Sequence, residues 1–200
     1  MEEQEKKEQT VEEGKNKPTL SEYLTVIGVL AVAFLLLRGC IRTVSETSSQ
    51  SYGSAAYYLT YNSAVKGLTK AMEKADGEAI CASVFPDVIY VQLSEDYFNE
   101  ISSFMASSNE FLEEVLEEKV NYRLKIEEKT ELDETDIDRI RYYYQSNFNC
   151  TFEIEKAYRL EAYYDDDSVV FLDVFKTAED GWKVSEASWR NMIGISGNYF

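Results

Sequence analysis

The chain contains no histidine. Serine triads of the usual kind, cysteine–histidine pairs and most catalytic zinc sites are excluded with it, because each uses an imidazole as proton carrier or ligand. Basic residues are scarce as well: 20 Lys and Arg stand against 37 Asp and Glu, for a net charge of −17. They are scattered among carboxylates, so the clustered cations that grip a phosphate backbone are missing and no nucleic acid is expected as a partner. Anionic lipid headgroups would repel such a surface too, which sets the folded part away from a membrane rather than on it. Long apolar runs are almost absent, with a single one near the N-terminus of the 200 residues.

That run is the clearest feature present. The uncharged stretch Tyr23–Leu37 has 15 residues, fewer than the roughly 20 that cross a bilayer. Arg38 and Arg42 follow, and their stems together with Ile41 carry the apolar length to Val44 while the guanidinium heads reach the headgroups. Residues 23–44 therefore read as a transmembrane anchor. A rival is a lipidated Cys40, since Leu37-Arg38-Gly39-Cys40 partly matches a bacterial lipobox, although Arg38 stands where a small or apolar residue is usual. The uncleaved helix is preferred. Lys6, Lys7, Lys15 and Lys17 precede the run, which puts the N-terminus in the cytoplasm and the rest outside the cell membrane. Residues 1–22 are a charged tail without apolar periodicity, expected to be disordered, and residues 45–54, with five serines, are a stalk. Residues 55–200 are long enough for one domain, and the part after Val44 holds 30 acidic against 14 basic residues, a net of −16.

Within that domain Tyr58, Tyr61, Val65, Leu68, Met72 and Ala75 recur at helical spacing, with Ser54 as the expected cap and Gly77 as the expected stop. A short helix should follow from Gly77 and end before Pro86. A further helix is expected between Ser94 and Glu118, with a break about Ser107–Asn109. The period then changes. Val120, Tyr122, Leu124 and Ile126 alternate with polar residues as a half-buried strand does. Asp133–Tyr144 returns to helix with acidic residues in its first turn. Phe152 to Tyr164 is expected as a strand leading into the turn Asp165–Asp167. Val169–Phe175 follows as a second strand, Glu179-Asp180-Gly181 as a hairpin, and Trp182–Trp189 as a third strand. Helices followed by an antiparallel meander define an α+β fold.

The stretch Asn62–Trp189 resembles the cone-shaped nuclear-transport-factor-2-like (cystatin-like) domains of uncharacterised bacterial envelope proteins. It does so through the first helix ending Lys70–Gly77, the strand core Ala157–Ala162 and the hairpin Glu179–Val184. The resemblance implies a curved sheet wrapped about the first helix, with a pocket at its open end in some members. Relatives of that fold include isomerase-like enzymes, small-molecule binders and interaction domains, so the fold chooses no activity.

Chemistry has to come from residues. An isomerase-like site needs a carboxylate base in a dry pocket facing Tyr donors. Tyr122, Tyr158 and Tyr164 lie on inward-reading faces and are the candidates to line a pocket, but no base can be assigned and catalytic residues are not expected. A calcium loop beginning at Asp133 fails, since Asp138 and Tyr144 stand where Gly and Glu belong. No metal or cofactor is expected. Cys81 and Cys150 form the one cysteine pair of the domain, and a bridge across the 68 residues between them would stabilise by about 4 kcal/mol. Two buried free thiols are the alternative. The tripeptide Asn149-Cys150-Thr151 matches the N-glycosylation pattern, which matters only on a eukaryotic secretory route. The expected function is a membrane-anchored extracytoplasmic interaction or ligand-binding module of the cell envelope, non-catalytic, the alternative being a small-molecule enzyme or enzyme-like binder at the open end of the cone.

Overall fold

A computed structural model describes residues 56–194. The tail, the anchor at 23–44, the stalk, Ser54 and Cys40 lie outside the described residues. Among the described residues no helix is long and apolar enough to cross a membrane.

Helix α1 is Tyr61–Glu73, and its cap is Thr60: the threonine side chain accepts from the Ser63 amide while the Ser63 side chain reaches back to the Thr60 amide. Ala64, Val65, Leu68 and Met72 form its buried stripe. Gly77 does not stop this helix. Ala75 takes the left-handed turn after α1, at φ 52°, and Gly77 is the first residue of α2, Gly77–Val84, which Asp76 caps. The glycine is needed for contact: a Cβ there would lie 2.1 Å from the Phe98 carbonyl oxygen. Helix α2 ends before Pro86 as its sequence requires, and the single turn α3, Asp87–Tyr90, follows. Helix α4, Glu95–Leu116, runs through Ser107–Asn109 without the expected break. Asn109 is buried and spends its amide on other elements: Nδ2 donates to Met72 O at 2.9 Å and Oδ1 accepts from the Tyr122 hydroxyl at 2.9 Å. A polar side chain bonded elsewhere no longer competes for its own helix backbone.

Strand β1 is Lys125–Glu131, shifted toward the C-terminus of the expected strand. Val120 and Tyr122 are buried and Asn121 and Arg123 exposed, so the alternation is real. The neighbouring strand, however, ends at Tyr163, the partner of Lys125, and residues 120–124 have nothing to pair with. Helix α5 is Glu134–Phe148, with Asp133 accepting from the Asp136 amide, so that acidic run is a helix start. Strand β2 is Lys156–Tyr163, which leaves Phe152 and Ile154 ahead of it, and β3 is Val169–Thr177. After the hairpin, where Gly181 adopts φ 70°, β4 covers only Gly181–Val184. The expected third strand to Trp189 is therefore half helix. Ser185 accepts from the Ser188 amide and opens α6, Glu186–Met192, which carries Trp189.

The result is α+β: six helices and a four-stranded antiparallel sheet in the order β1-β2-β3-β4 among the described residues. One sheet face presents Tyr158, Leu160, Ala162, Leu172 and Val174. Tyr61 of α1 meets Tyr158 and Trp182 edge-on there, with centroids 5.9 and 5.8 Å apart. On the opposite face Phe175 lies against Tyr144 of α5 and stacks on Phe152, at 5.7 and 5.5 Å.

Candidate functional site

The three tyrosines singled out by pattern separate into two places. Tyr122 is fully buried, with its hydroxyl on Asn109. Tyr164 is its neighbour, and each phenol is pushed up chiefly by burial. The Tyr164 hydroxyl is enclosed and has no hydrogen-bond partner. Tyr158 sits elsewhere, stacked on Trp182 at 5.3 Å with the Lys129 ammonium 4.5 Å above its ring. A base–donor constellation of the isomerase kind is not assembled by these residues. Cys81 and Cys150 are both free and buried. Burial and then the Glu186 charge push the Cys81 thiol up, which makes it a poor nucleophile. Cys150 Sγ accepts from Gln92 Nε2 at 3.2 Å.

Two buried charged residues were not singled out by the sequence reading. Lys183 has no exposed surface. Its Nζ donates to Ala82 O at 2.9 Å and to Ala56 O at 2.6 Å, and burial pushes its ammonium down to about 8, with Asp180 and Asp87 opposing. A lysine so tuned suggests amine chemistry, yet the backbone explains it. Ala82 would bond the amide four residues on, which is Pro86, and proline has no N–H. Lys183 supplies the missing donor. Glu186 is also wholly buried, and its Oε1 accepts from Arg190 Nε at 2.7 Å and Nη2 at 2.6 Å. Burial holds its carboxyl above the usual range against the pull of Arg190, and Oε2 has no hydrogen-bond partner. The Glu186 amide donates to the Tyr144 hydroxyl at 3.0 Å, which donates in turn to Val84 O, the last carbonyl of α2, at 3.0 Å. Pro86 was a sequence signal for this cluster, since it strips a carbonyl of its donor. Nothing in the pattern said which side chain would answer.

These groups tie the end of α2 to β4 and α6. Tyr144→Phe should therefore cost about 2 kcal/mol, because Val84 O and the Glu186 amide are both left buried and unpaired. Urea unfolding at neutral pH measures this, and a cost under about 0.5 kcal/mol would show that the hydroxyl is not the link.

Of the openings to solvent, one lies apart from this cluster and the other borders it at Ala56 and Ala82, the residues that accept from Lys183. A cleft of about 430 Å³ is lined by Lys125, Glu127, Tyr163, Tyr164, Asp165 and Asp167, where β1 begins and β2 turns into β3. A second, of about 280 Å³, is bounded by Tyr58, Asp76, Glu78 and Tyr90. Its Tyr90 hydroxyl donates to Glu78 Oε1 at 3.1 Å. Neither is lined by Glu186, among the described residues the one carboxylate held above its usual range by burial. No group of three His, Cys, Asp or Glu suited to a metal ion occurs among the described residues.

The sheet face that carries Phe175 is covered over only part of its length. Phe175 lies against Tyr144 of α5 with its register partner Ala157 also buried, and next to them Arg159 holds Asp173 in a two-pronged pair at 2.8 and 3.0 Å. Beyond that pair come two bare rungs, Glu161 opposite Phe171 and Tyr163 opposite Val169. Phe171 is 52% and Val169 49% exposed, on a stretch of β3 that pairs with β2 and runs past the end of β4. Comparison of the chain with protein-family models, curated proteins and solved structures finds no match.

Proposed function

We propose that this chain is an extracytoplasmic interaction module of the cell envelope, held at the membrane through residues 23–44 and built on a nuclear-transport-factor-2-like domain. The observation that supports the non-catalytic reading is where the two wholly buried charged side chains sit. Lys183 and Glu186 have no exposed surface, the first bonded to Ala82 O near the end of α2 and the second paired with Arg190, whereas the residues that line the open clefts are others. An enzyme of this size would put its tuned carboxylate or amine where a substrate can reach it. Helices ahead of an antiparallel meander support the fold reading. The acidic surface and the single apolar run support a domain that stands off the lipid on a tether.

Protease treatment of intact cells and of opened membranes, with mass analysis of the N-terminus, tests the placement. The expected result is a protected fragment that retains Met1 and a domain cut from outside. A lipid-bearing Cys40 at the N-terminus would replace the helix by a lipid anchor. Recovery of the intact chain in the soluble fraction would overturn membrane attachment.

A further inference from the structure

We infer that the two bare rungs of the sheet are a docking surface for a basic protein segment that carries an aliphatic side chain between lysines or arginines. The inference rests on the interaction-module reading and names its surface and its partner's chemistry.

The apolar element is Phe171 with Val169, on the part of β3 that pairs with β2 on one side and extends beyond the reach of β4 on the other. Alternation puts them on the same face as Tyr163 and Glu161 of β2, and the register carries that face on to Lys125 and Glu128 of β1. α5 shields the Phe175 end of the same face and stops short of these rungs. Two rungs by three strands span roughly 7 by 10 Å, room for one or two side chains of a partner.

The rim selects the partner. Glu128 and Glu161 border Phe171, while Glu127, Asp165 and Asp167 line the adjoining cleft. Lys125 is the cation of that cleft's lining, and it is already engaged with Glu127 at 2.6 Å. The Tyr163 hydroxyl donates to Glu161, which holds that carboxylate beside the phenyl ring. An apolar centre inside a ring of carboxylates complements an aliphatic side chain flanked by cations, and charge of this kind adds both selectivity and encounter rate. A second copy of the chain would set Glu128 and Glu161 against themselves, and anionic lipid would meet the same repulsion.

The test uses the full-length chain in lipid nanodiscs and a fluorescent undecapeptide of alternating lysine and leucine, read by anisotropy. Wild type should bind it with an affinity that falls as salt rises. Phe171→Ser and Glu161→Lys should each weaken binding at least ten-fold. Glu110→Lys, which makes the same charge change on an exposed position of α4, should weaken it less than two-fold. Phe171 is half exposed, so the serine variant should keep its unfolding temperature, which is checked alongside. Equal losses in the two lysine variants with none in Phe171→Ser would overturn the inference in favour of general attraction to a polyanion. Absence of wild-type binding would overturn it too, while leaving the placement tested by proteolysis untouched. A wild-type dimer in sedimentation that Phe171→Ser dissociates would assign the face to a second copy, and also overturn it.

Discussion

The stability of the wild-type protein relative to the Lys183→Met variant is expected to grow by about 2 kcal/mol between pH 7 and pH 9.5. In the fold the Lys183 ammonium is pushed down to about 8, against 10.5 for a free lysine, because burial removes its water. The native state therefore binds fewer protons than the unfolded chain between those two values. The contribution of Lys183 must rise with pH through that window, and the cost of burying its charge is fully present below it; the buried Cys81 thiol and tyrosines, pushed up, act with the opposite sign in both proteins and cancel in the difference. Methionine fills a similar volume and does not titrate. The difference between the two pH profiles, measured by urea unfolding, isolates this one group from the tyrosines that titrate higher. Parallel profiles would mean that Lys183 reaches water in solution. Lys183→Met still leaves Ala82 O and Ala56 O without their donor, so its stability at pH 7 reports the balance between two lost hydrogen bonds and a relieved charge.

Gly77→Ala should be the most damaging small substitution, at about 3 kcal/mol or more. The added methyl would meet the Phe98 carbonyl oxygen at 2.1 Å, Ser102 Oγ at 2.7 Å and the Ser102 amide at 2.8 Å. Two of these three atoms belong to the backbone of α4 and cannot rotate away. The Gly77 amide also donates to Ser102 Oγ at 2.8 Å, so moving α2 outward would break the bond that seats it. Combining Gly77→Ala with Ser102→Ala should recover less than half of the loss, since the Phe98 carbonyl stays in place. A cost below 1 kcal/mol by chemical unfolding would mean that α2 and α4 are not in backbone contact. The same substitution in the middle of an exposed helix stabilises, because alanine is the better helix former, so even the sign of the effect tests the packing.

The sequence carried the helices and the meander because their apolar periods are long. Val65, Leu68 and Met72 repeat at helical steps, and Leu160 and Ala162 alternate as a strand does. It misled where a local signal had two readings. Gly77 looks like a stop because glycine usually ends helices, and only the approach of α4 reveals why it begins one. Trp182–Trp189 looks like one strand, yet Ser185 can cap a helix, and that cap ends the pairing at Val184. Charge is normally exposed, and nothing in the strand pattern of Trp182–Trp189 marks Lys183 and Glu186 as buried. Lys183 answers the carbonyl that Pro86 leaves without a donor, some hundred residues earlier, a relation that no window along the chain contains. The exposed Phe171 was hidden for the opposite reason: in a strand of apolar residues nothing marks the one that its neighbours leave uncovered.

Ala56 is held by Lys183, Tyr58 O accepts from the Trp182 amide at 2.9 Å, and the Tyr58 hydroxyl meets Ser83 Oγ at 2.9 Å. The chain thus enters the fold beside its C-terminal hairpin, more than a hundred residues away in sequence. A fragment trimmed to the first helix at Tyr61 would discard all three ties and strand a buried ammonium with one acceptor, Ala82 O. The working boundary of the domain is therefore ahead of Ala56, and any pull applied at Ala56 is delivered first to β4 rather than to the helix that follows it.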